Sequence, residues 1–280
     1  MNLDCKVLFR ILFLFTILCL SSGCSIIRRF TYPVPRAVVG SPPPSPLVEI
    51  TIPVSGTDKI TGWLSNAGAG NDSTPILLFL HSGRENLQTM LQERFFGDIA
   101  RLQVHCLVID YPGYGNSSGN PNENAIITAT DTAFSWLRKK FPNNPKFIGG
   151  WSLGAAVAIQ IAVRHPNDLK GLIVIDGWTS MSAVAAHRYP KWLIKFLMKE
   201  QYNSIQAIES VEVPTLIMHA EFNTKIPMLQ GKALSESSSQ LKKWLIIKGA
   251  THEDVLKNSR VWEEMSSFVK NPEIDWASRE

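Results

Sequence analysis

The stretch Pro145-Lys146-Phe147-Ile148-Gly149-Gly150-Trp151-Ser152-Leu153-Gly154 decides the fold prediction, because a short apolar strand runs directly into a glycine-X-serine-X-glycine turn. Residues 155–162 follow as an apolar helix pattern. A serine in such a strand-to-helix turn is a candidate nucleophile. The turn forces an unfavourable backbone conformation on the serine, and glycines on either side let strand and helix pack closely. The stretch therefore predicts a catalytic role for Ser152.

Strand patterns and helix patterns alternate on both sides of this turn. Strands are predicted at residues 47–54, 60–65, 75–80, 104–109, 145–149, 169–175, 214–219 and 243–247, and helices at residues 87–102, 123–140, 155–162 and 262–269. The first two strands are expected to form an antiparallel pair. The alternation that follows predicts an α/β fold with a mostly parallel central sheet and helices on both faces. Ligands of such folds bind at the carboxyl ends of the strands.

The first 23 residues have the pattern of an export signal. Lys6 and Arg10 precede the apolar run 11–20, which is too short to span a membrane comfortably but has the length of a signal-peptide core. The following Ser-Ser-Gly-Cys resembles a bacterial lipoprotein processing site, which implies cleavage before a lipidated Cys24. Ser25 resembles the residue that directs such proteins to the outer membrane, which implies a lipid-anchored protein of the bacterial cell envelope facing the periplasm. An uncleaved N-terminal anchor helix is the alternative.

The rest of the chain divides into a tether and one domain. Six prolines between residues 24 and 46 favour an extended tether, so the folded domain is expected at residues 47–280. The whole chain of 280 residues is 45% hydrophobic, which suits a domain with a substantial core. The net charge of +4 comes without a cluster of basic and aromatic residues, so nucleic acid is not an expected partner. No spacing of histidine and cysteine suggests a metal site.

Two further motifs carry a family resemblance. His81-Ser82-Gly83 and the run Asp110-Tyr-Pro-Gly-Tyr-Gly-Asn-Ser-Ser-Gly119, together with the serine turn, resemble the α/β-hydrolase superfamily over residues 47–272. The chain is most similar to small single-domain serine hydrolases, among them depalmitoylating thioesterases and bacterial prolyl-oligopeptidase-like hydrolases. The resemblance implies hydrolysis of an ester, thioester or amide without a cofactor. It also implies that the backbone N–H groups of Leu153 and Gly83 bind the oxyanion.

The triad predicted from this resemblance has an open question at its acid. The histidine loop at residues 249–254 makes His252 the expected general base. Asn223, however, occupies the position where the family usually has aspartate. Glu221 in the same loop and Asp176 at the end of the strand 169–175 are alternative acids. The remaining alternatives are an orienting role for the Asn223 amide and a degenerate triad in a protein that binds without hydrolysis.

An insertion at about residues 181–212 is expected to cap the site. Trp192, Leu193, Phe196 and Leu197 share one helical side, opposite Lys191, Lys195 and Lys199. A membrane-surface helix, an acyl-binding lid and an ordinary packed cap all fit this pattern. We therefore expect a lipid-anchored serine hydrolase acting on an acyl substrate through an acyl-enzyme on Ser152. An esterase or thioesterase fits best, a peptidase is the lesser rival, and a non-catalytic binding lipoprotein is the alternative. No protein partner can be inferred.

Overall fold

The computed structural model describes residues 31–35, 40–65, 72–187, 189–190, 192–194 and 198–274. The predicted signal at residues 1–23, the lipidation site Cys24 and four residues of the predicted cap helix lie outside the described residues; those four are Lys191, Lys195, Phe196 and Leu197. Within the described part of the chain, no helix combines the length and the hydrophobicity needed to cross a bilayer.

Eight strands form a single sheet in the order β1-β2-β4-β3-β5-β6-β7-β8. They are β1 (Val48–Ser55), β2 (Asp58–Ser65), β3 (Ile76–Leu80), β4 (His105–Ile109), β5 (Lys146–Trp151), β6 (Leu169–Ile175), β7 (Thr215–Ala220) and β8 (Leu241–Ile247). The pairs β1–β2 and β2–β4 are antiparallel and all other neighbours are parallel. The predicted α/β fold, with a mostly parallel sheet, is confirmed. The strand order reverses around β3, which marks the carboxyl edge of β3 and β5 as the binding crevice.

Helices cover both faces of this sheet. They are α1 (Leu87–Gln92), α2 (Phe95–Ala100), α3 (Glu123–Lys140), α4 (Leu153–Arg164), α5 (Met181–Ala186), α6 (Ser204–Glu209), α7 (Met228–Ser237) and α8 (Ser259–Lys270), with a 3₁₀ turn at Val255–Lys257. Alternate residues of a strand point to opposite faces. In β3, Leu78 thus packs in the same apolar cluster as α4, whereas Phe79 packs with α8 on the other face.

The helix predicted at residues 87–102 is instead two helices, α1 and α2. Arg94 separates them with a left-handed backbone (φ 65°), a conformation that costs free energy in a non-glycine residue. The break directs Phe95 into the core, where its ring centroid lies 4.6 Å from that of Phe79 and 5.5 Å from that of Trp262. Burial of these aromatic surfaces overrides the helical pattern. Helices α5, α6 and α7 were not predicted.

The predicted tether is wrong at residues 31–34, which pack onto the domain. Tyr32 is 2% exposed and belongs to the core cluster around α4. Its hydroxyl lies 2.9 Å from the Tyr202 hydroxyl and 3.0 Å from Glu200 Oε2. Proline content favoured an extended segment, but the tyrosine ring buries enough apolar surface to fix this part of the chain. The folded domain therefore begins before residue 47.

We expect Tyr32→Ala to lower the free energy of unfolding by about 3 kcal/mol, because it leaves a cavity and removes a hydrogen-bond partner from Glu200 and Tyr202. Ser41→Ala, at an exposed position of the same predicted tether, should change it by less than about 0.5 kcal/mol. Denaturant unfolding followed by far-UV circular dichroism measures both values. Equal effects of the two substitutions would contradict the packing of Tyr32.

Candidate active site

Ser152 lies in a strained turn between β5 and α4. Its backbone has φ 60° and ψ −115°, outside the regions that residues with a side chain normally adopt. A side chain at Gly150 would lie 2.2 Å from the Gly154 backbone, and one at Gly154 would lie 2.0 Å from the Leu80 carbonyl oxygen. The Ser152 N–H donates to the Ile175 carbonyl at 2.9 Å. Strand and helix thus approach as closely as the sequence pattern predicted, with the serine at the first turn of the helix.

Asp176 directly follows the neighbouring strand β6 at the same edge of the sheet. Trp151 pairs with Ile175, so Ser152 and Asp176 are the next residues on adjacent strands. Asp176 is fully buried and its backbone is left-handed (φ 50°). Its Oδ1 accepts the Ala220 N–H at 2.8 Å, and its Oδ2 lies 3.2 Å from His252 Nδ1. The carboxylate is therefore held by two elements and directed at the histidine.

His252 lies in the loop after β8, and it lines the same cavity as Ser152. It is 7% exposed, and its ring centroid lies 5.3 Å from that of Trp151. This loop is joined to the loop after β7, because the Phe222 N–H donates to the Ala250 carbonyl at 2.8 Å. The serine, the histidine and the Asp176 carboxylate thus lie on three separate segments at the carboxyl edge of the sheet. Asp176 contacts the histidine, and the serine lines the same cavity as the histidine.

Asn223 also contacts His252, in an orientation that its hydrogen bonds determine. Its Oδ1 accepts the backbone N–H groups of Lys225 at 3.0 Å and Ile226 at 2.8 Å. The amide oxygen is therefore engaged by the backbone, and the NH₂ group faces His252 Nδ1 at 3.0 Å. The aspartate position of the family thus presents a hydrogen-bond donor to the imidazole instead of a carboxylate.

Asn223 and Asp176 favour opposite tautomers of His252. A proton on Nδ1 donates to Asp176 and leaves Nε2 free to accept a proton from a hydroxyl. An unprotonated Nδ1 accepts from Asn223, and the proton is then on Nε2. Hydrogen bonds to an ionised group are roughly twice as strong as neutral ones. The Asp176 carboxylate therefore favours the tautomer in which Nε2 can act as a base.

Glu221, the other predicted alternative acid, binds elsewhere. Its Oε2 accepts the Gly249 N–H at 2.9 Å and its Oε1 lies 3.2 Å from Lys248 Nζ. The Gly249 N–H and the Lys248 ammonium lower the pKa of this carboxyl. Of the three residues considered for the acid, the structure brings Asp176 and Asn223 to His252 and directs Glu221 to Lys248.

The two predicted oxyanion donors lie side by side. Leu153 is the first residue of α4, so its N–H has no acceptor within the helix. Gly83 is adjacent, since a side chain at Gly83 would lie 3.4 Å from the Leu153 side chain. The Tyr114 hydroxyl donates to the Gly83 carbonyl at 3.0 Å and the Tyr111 hydroxyl to the His81 carbonyl at 2.8 Å. These tyrosines hold the loop after β3. Their sequence motif, residues 110–119, did not predict this role.

Asp110 and His81 form a buried pair behind this loop. Asp110 Oδ1 accepts the Leu87 N–H at 2.9 Å and lies 3.8 Å from His81 Nε2. His81 Nδ1 donates to the Ser82 carbonyl at 2.7 Å. Burial raises the pKa of Asp110 to about 6 and lowers the pKa of His81 to about 4. Both groups are therefore driven toward their neutral forms beneath the oxyanion loop.

A cavity of about 730 Å³ opens next to Ser152 and His252. Its wall is mainly apolar and includes Met181, Leu193, Ile194 and Met198 of the predicted cap, together with Phe95 and Trp178 from outside the cap. Four charged wall residues form two ion pairs, Lys225 with Glu253 and Lys257 with Glu93, and Arg84 and Glu85 also line the cavity. Such a cavity can hold an apolar group of a substrate beside the serine.

Comparisons with known proteins agree with this architecture. A family model described as alpha/beta hydrolase fold matches residues 75–204. The uncharacterized protein Rv2307c of Mycobacterium tuberculosis is 28% identical over 199 residues, which cover 70% of this chain and 69% of that protein. The lysophosphatidylserine lipase ABHD12 of Danio rerio is 24% identical over 228 residues, which cover 71% of this chain and 59% of the lipase.

A solved structure extends the similarity to most of the chain. The esterase Pf2001 of Pyrococcus furiosus superposes with a TM-score of 0.68 at 16% identity, covering 85% of this chain and 96% of the esterase. At this identity the likeness shows the fold alone.

The pair of Asp110 and His81 predicts a specific pH dependence of stability. A raised acid pKa makes the folded state bind more protons than the unfolded state between about pH 4 and pH 6, so Asp110 lowers stability as the pH rises through this range. The lowered pKa of His81 acts in the opposite direction. In Asp110→Asn the His81 contribution is unopposed. The free energy of unfolding of the variant, minus that of the wild type, should increase by up to about 3 kcal/mol across this range. Denaturant unfolding at several pH values measures it, and a constant difference would contradict the prediction.

Proposed function

We propose that the chain, which has the α/β-hydrolase fold, is a serine hydrolase whose triad is Ser152, His252 and Asp176. The order serine, acid, histidine along the chain is the order of this fold. The observation that carries the proposal is the 3.2 Å contact between the fully buried Asp176 carboxylate and His252 Nδ1. A buried carboxylate at this position orients the imidazole and stabilises its protonated form.

In the proposed reaction, the Ser152 hydroxyl attacks the acyl carbon of the substrate while His252 Nε2 takes its proton. The resulting imidazolium is stabilised by Asp176 and then gives the proton to the leaving group as the bond to the acyl carbon breaks. Water attacks the acyl-enzyme in the same way, with His252 taking its proton and returning it to Ser152. The backbone N–H groups of Leu153 and Gly83 bind the oxyanion in both steps.

The cavity favours an acyl ester or thioester as the substrate. Its wall beside Ser152 is mainly apolar, and its lysines are paired with glutamates. An apolar acyl chain fits this mainly apolar wall better than a polar peptide chain, because buried polar groups need hydrogen-bond partners. We further propose, from the sequence alone, that the enzyme is anchored through a lipidated Cys24 at the outer membrane and faces the periplasm.

A non-catalytic binding protein is the second candidate, and Asn223 is the observation that favours it. Its NH₂ group lies 3.0 Å from His252 Nδ1, closer than Asp176 Oδ2, and it favours the tautomer that cannot accept the serine proton. The two candidates differ in a measurable property, since only the hydrolase has an activated serine.

We expect a fluorophosphonate probe to label the wild-type full-length chain, because an activated serine reacts with the electrophilic phosphorus. Ser152→Ala should abolish labelling. Absence of labelling in the wild type, with labelling in Asn223→Asp, would instead favour the binding protein.

We expect Asp176→Asn to lower turnover of a soluble ester such as nitrophenyl butyrate by about 10³- to 10⁴-fold, as the equivalent change does in a serine protease. Glu221→Gln is the matched control, because it removes a carboxylate of a neighbouring loop that binds Lys248 instead of His252. It should leave turnover within about twofold of the wild type.

The double substitution Asp176→Asn/Asn223→Asp provides a rescue. It puts a carboxylate where the amide now lies 3.0 Å from His252 Nδ1, and we expect it to recover at least about tenfold of the lost turnover. Steady-state kinetics with circular dichroism as a check of folding measure all three variants. Full activity of Asp176→Asn would show that Asp176 is not the acid.

A further inference from the structure

The segment at residues 31–34 forms part of the cavity wall. Thr31 and Pro33 line the cavity, on either side of the buried Tyr32. Tyr32 is held by Glu200 and Tyr202, which lie within the predicted cap at about residues 181–212. The chain on the amino-terminal side of the domain therefore reaches it at the active-site cavity and not at a distant surface.

The predicted anchor cannot lie far from this wall. Cys24 precedes Tyr32 by eight residues. A chain of that length spans at most about 28 Å even when it is fully extended. Arg28 and Arg29 lie within this stretch, and basic residues beside a lipid anchor are attracted to anionic lipid headgroups. A lipidated Cys24 would thus hold the cavity wall close to the bilayer surface.

The cap presents exposed aromatic side chains next to the cavity. Tyr189 lines the cavity and is 52% exposed. Trp192 is 73% exposed and immediately precedes Leu193 and Ile194, whose side chains face the cavity. Tyrosine and tryptophan are enriched at the interface between bilayer and water, where the ring meets lipid and the polar group meets water.

The sequence predicted that Trp192 and Leu193 lie on the same side of a helix, but the two side chains differ in their exposure. The structure turns Trp192 outward while Leu193 is half-buried against the cavity. Two exposed aromatic side chains beside one cavity are typical of a surface that contacts a membrane or another protein. With the proposed lipid at Cys24, the short chain from Cys24 to Tyr32 places the bilayer next to this part of the molecule.

We propose that Tyr189 and Trp192 form a bilayer-docking face around the cavity mouth, and that the substrate is an acyl ester or thioester taken directly from the membrane in which the protein is anchored. The acyl chain would pass from lipid into an apolar cavity without crossing water. The part of the proposal that concerns the substrate rests on the proposed hydrolase function, whereas the docking face does not.

The docking face is tested with the full-length lipidated chain in vesicles of phosphatidylethanolamine and phosphatidylglycerol that contain a brominated phospholipid, which quenches tryptophan on contact. We expect the protein to float with the vesicles and its fluorescence to be quenched. Trp192→Phe should lose the larger part of the quenched signal. Trp244→Phe is the control, because Trp244 is a half-buried residue of β8, and it should keep that signal. A chain that does not float, or quenching that Trp192→Phe leaves unchanged, would overturn the docking face.

The substrate is tested by placing methylumbelliferyl palmitate either in the vesicles that carry the protein or in separate vesicles. We expect hydrolysis to be at least several-fold faster when enzyme and ester share a bilayer, with equal rates on dissolved methylumbelliferyl butyrate in both arrangements. Hydrolysis of the butyrate without any preference for the shared bilayer would overturn the inference and leave the hydrolase intact. Absence of butyrate hydrolysis would overturn the proposed function itself, and the quenching result would still stand.

Discussion

The buried carboxylate of Asp176 is the constraint around which the site is built. A charge without solvent needs fixed partners, and Asp176 has two, the Ala220 N–H at 2.8 Å and His252 Nδ1 at 3.2 Å. These partners lie at the end of β7 and in the loop after β8, so one side chain fixes three strand ends relative to each other. A third group, His219 Nδ1, lies 3.6 Å from Asp176 Oδ1. His219 Nε2 donates to the Ile226 carbonyl instead, and the 3.6 Å between His219 Nδ1 and Asp176 Oδ1 is too long for a hydrogen bond. The imidazole of His252 is therefore the side-chain donor for this charge.

The sequence predicted the sheet and the position of the serine but left the acid open. Apolar periodicity and the glycine-X-serine-X-glycine turn depend on neighbours within a few residues, so they could be interpreted locally. The choice between Asp176, Asn223 and Glu221 depends on which loop ends converge on His252. Glu221 is two residues from Asn223, yet its carboxylate binds Lys248 and the Gly249 N–H instead of His252. No local pattern contains that information, since these partners come from another strand.

Two other differences have the same origin. The predicted helix at residues 87–102 breaks at Arg94 because Phe95 has aromatic partners in β3 and α8. The predicted tether is packed at Tyr32 because the Tyr32 hydroxyl forms hydrogen bonds with Glu200 and Tyr202, about 170 residues later in the chain. In each case a long-range contact of an aromatic side chain outweighs a local preference for helix or extended chain.

The contacts of Tyr32 with Glu200 and Tyr202 also affect the order in which parts of the domain fold. These partners follow Tyr32 by 168 and 170 residues, so contacts of this separation form late and close a very long loop. A chain that emerges amino-terminus first exposes Tyr32 and its apolar neighbours before Glu200 and Tyr202 have emerged. During that interval one wall of the cavity is missing, and apolar surface that the finished domain covers is accessible to other proteins. The newly synthesised chain thus depends on its own last third to complete the part of the molecule that emerges first.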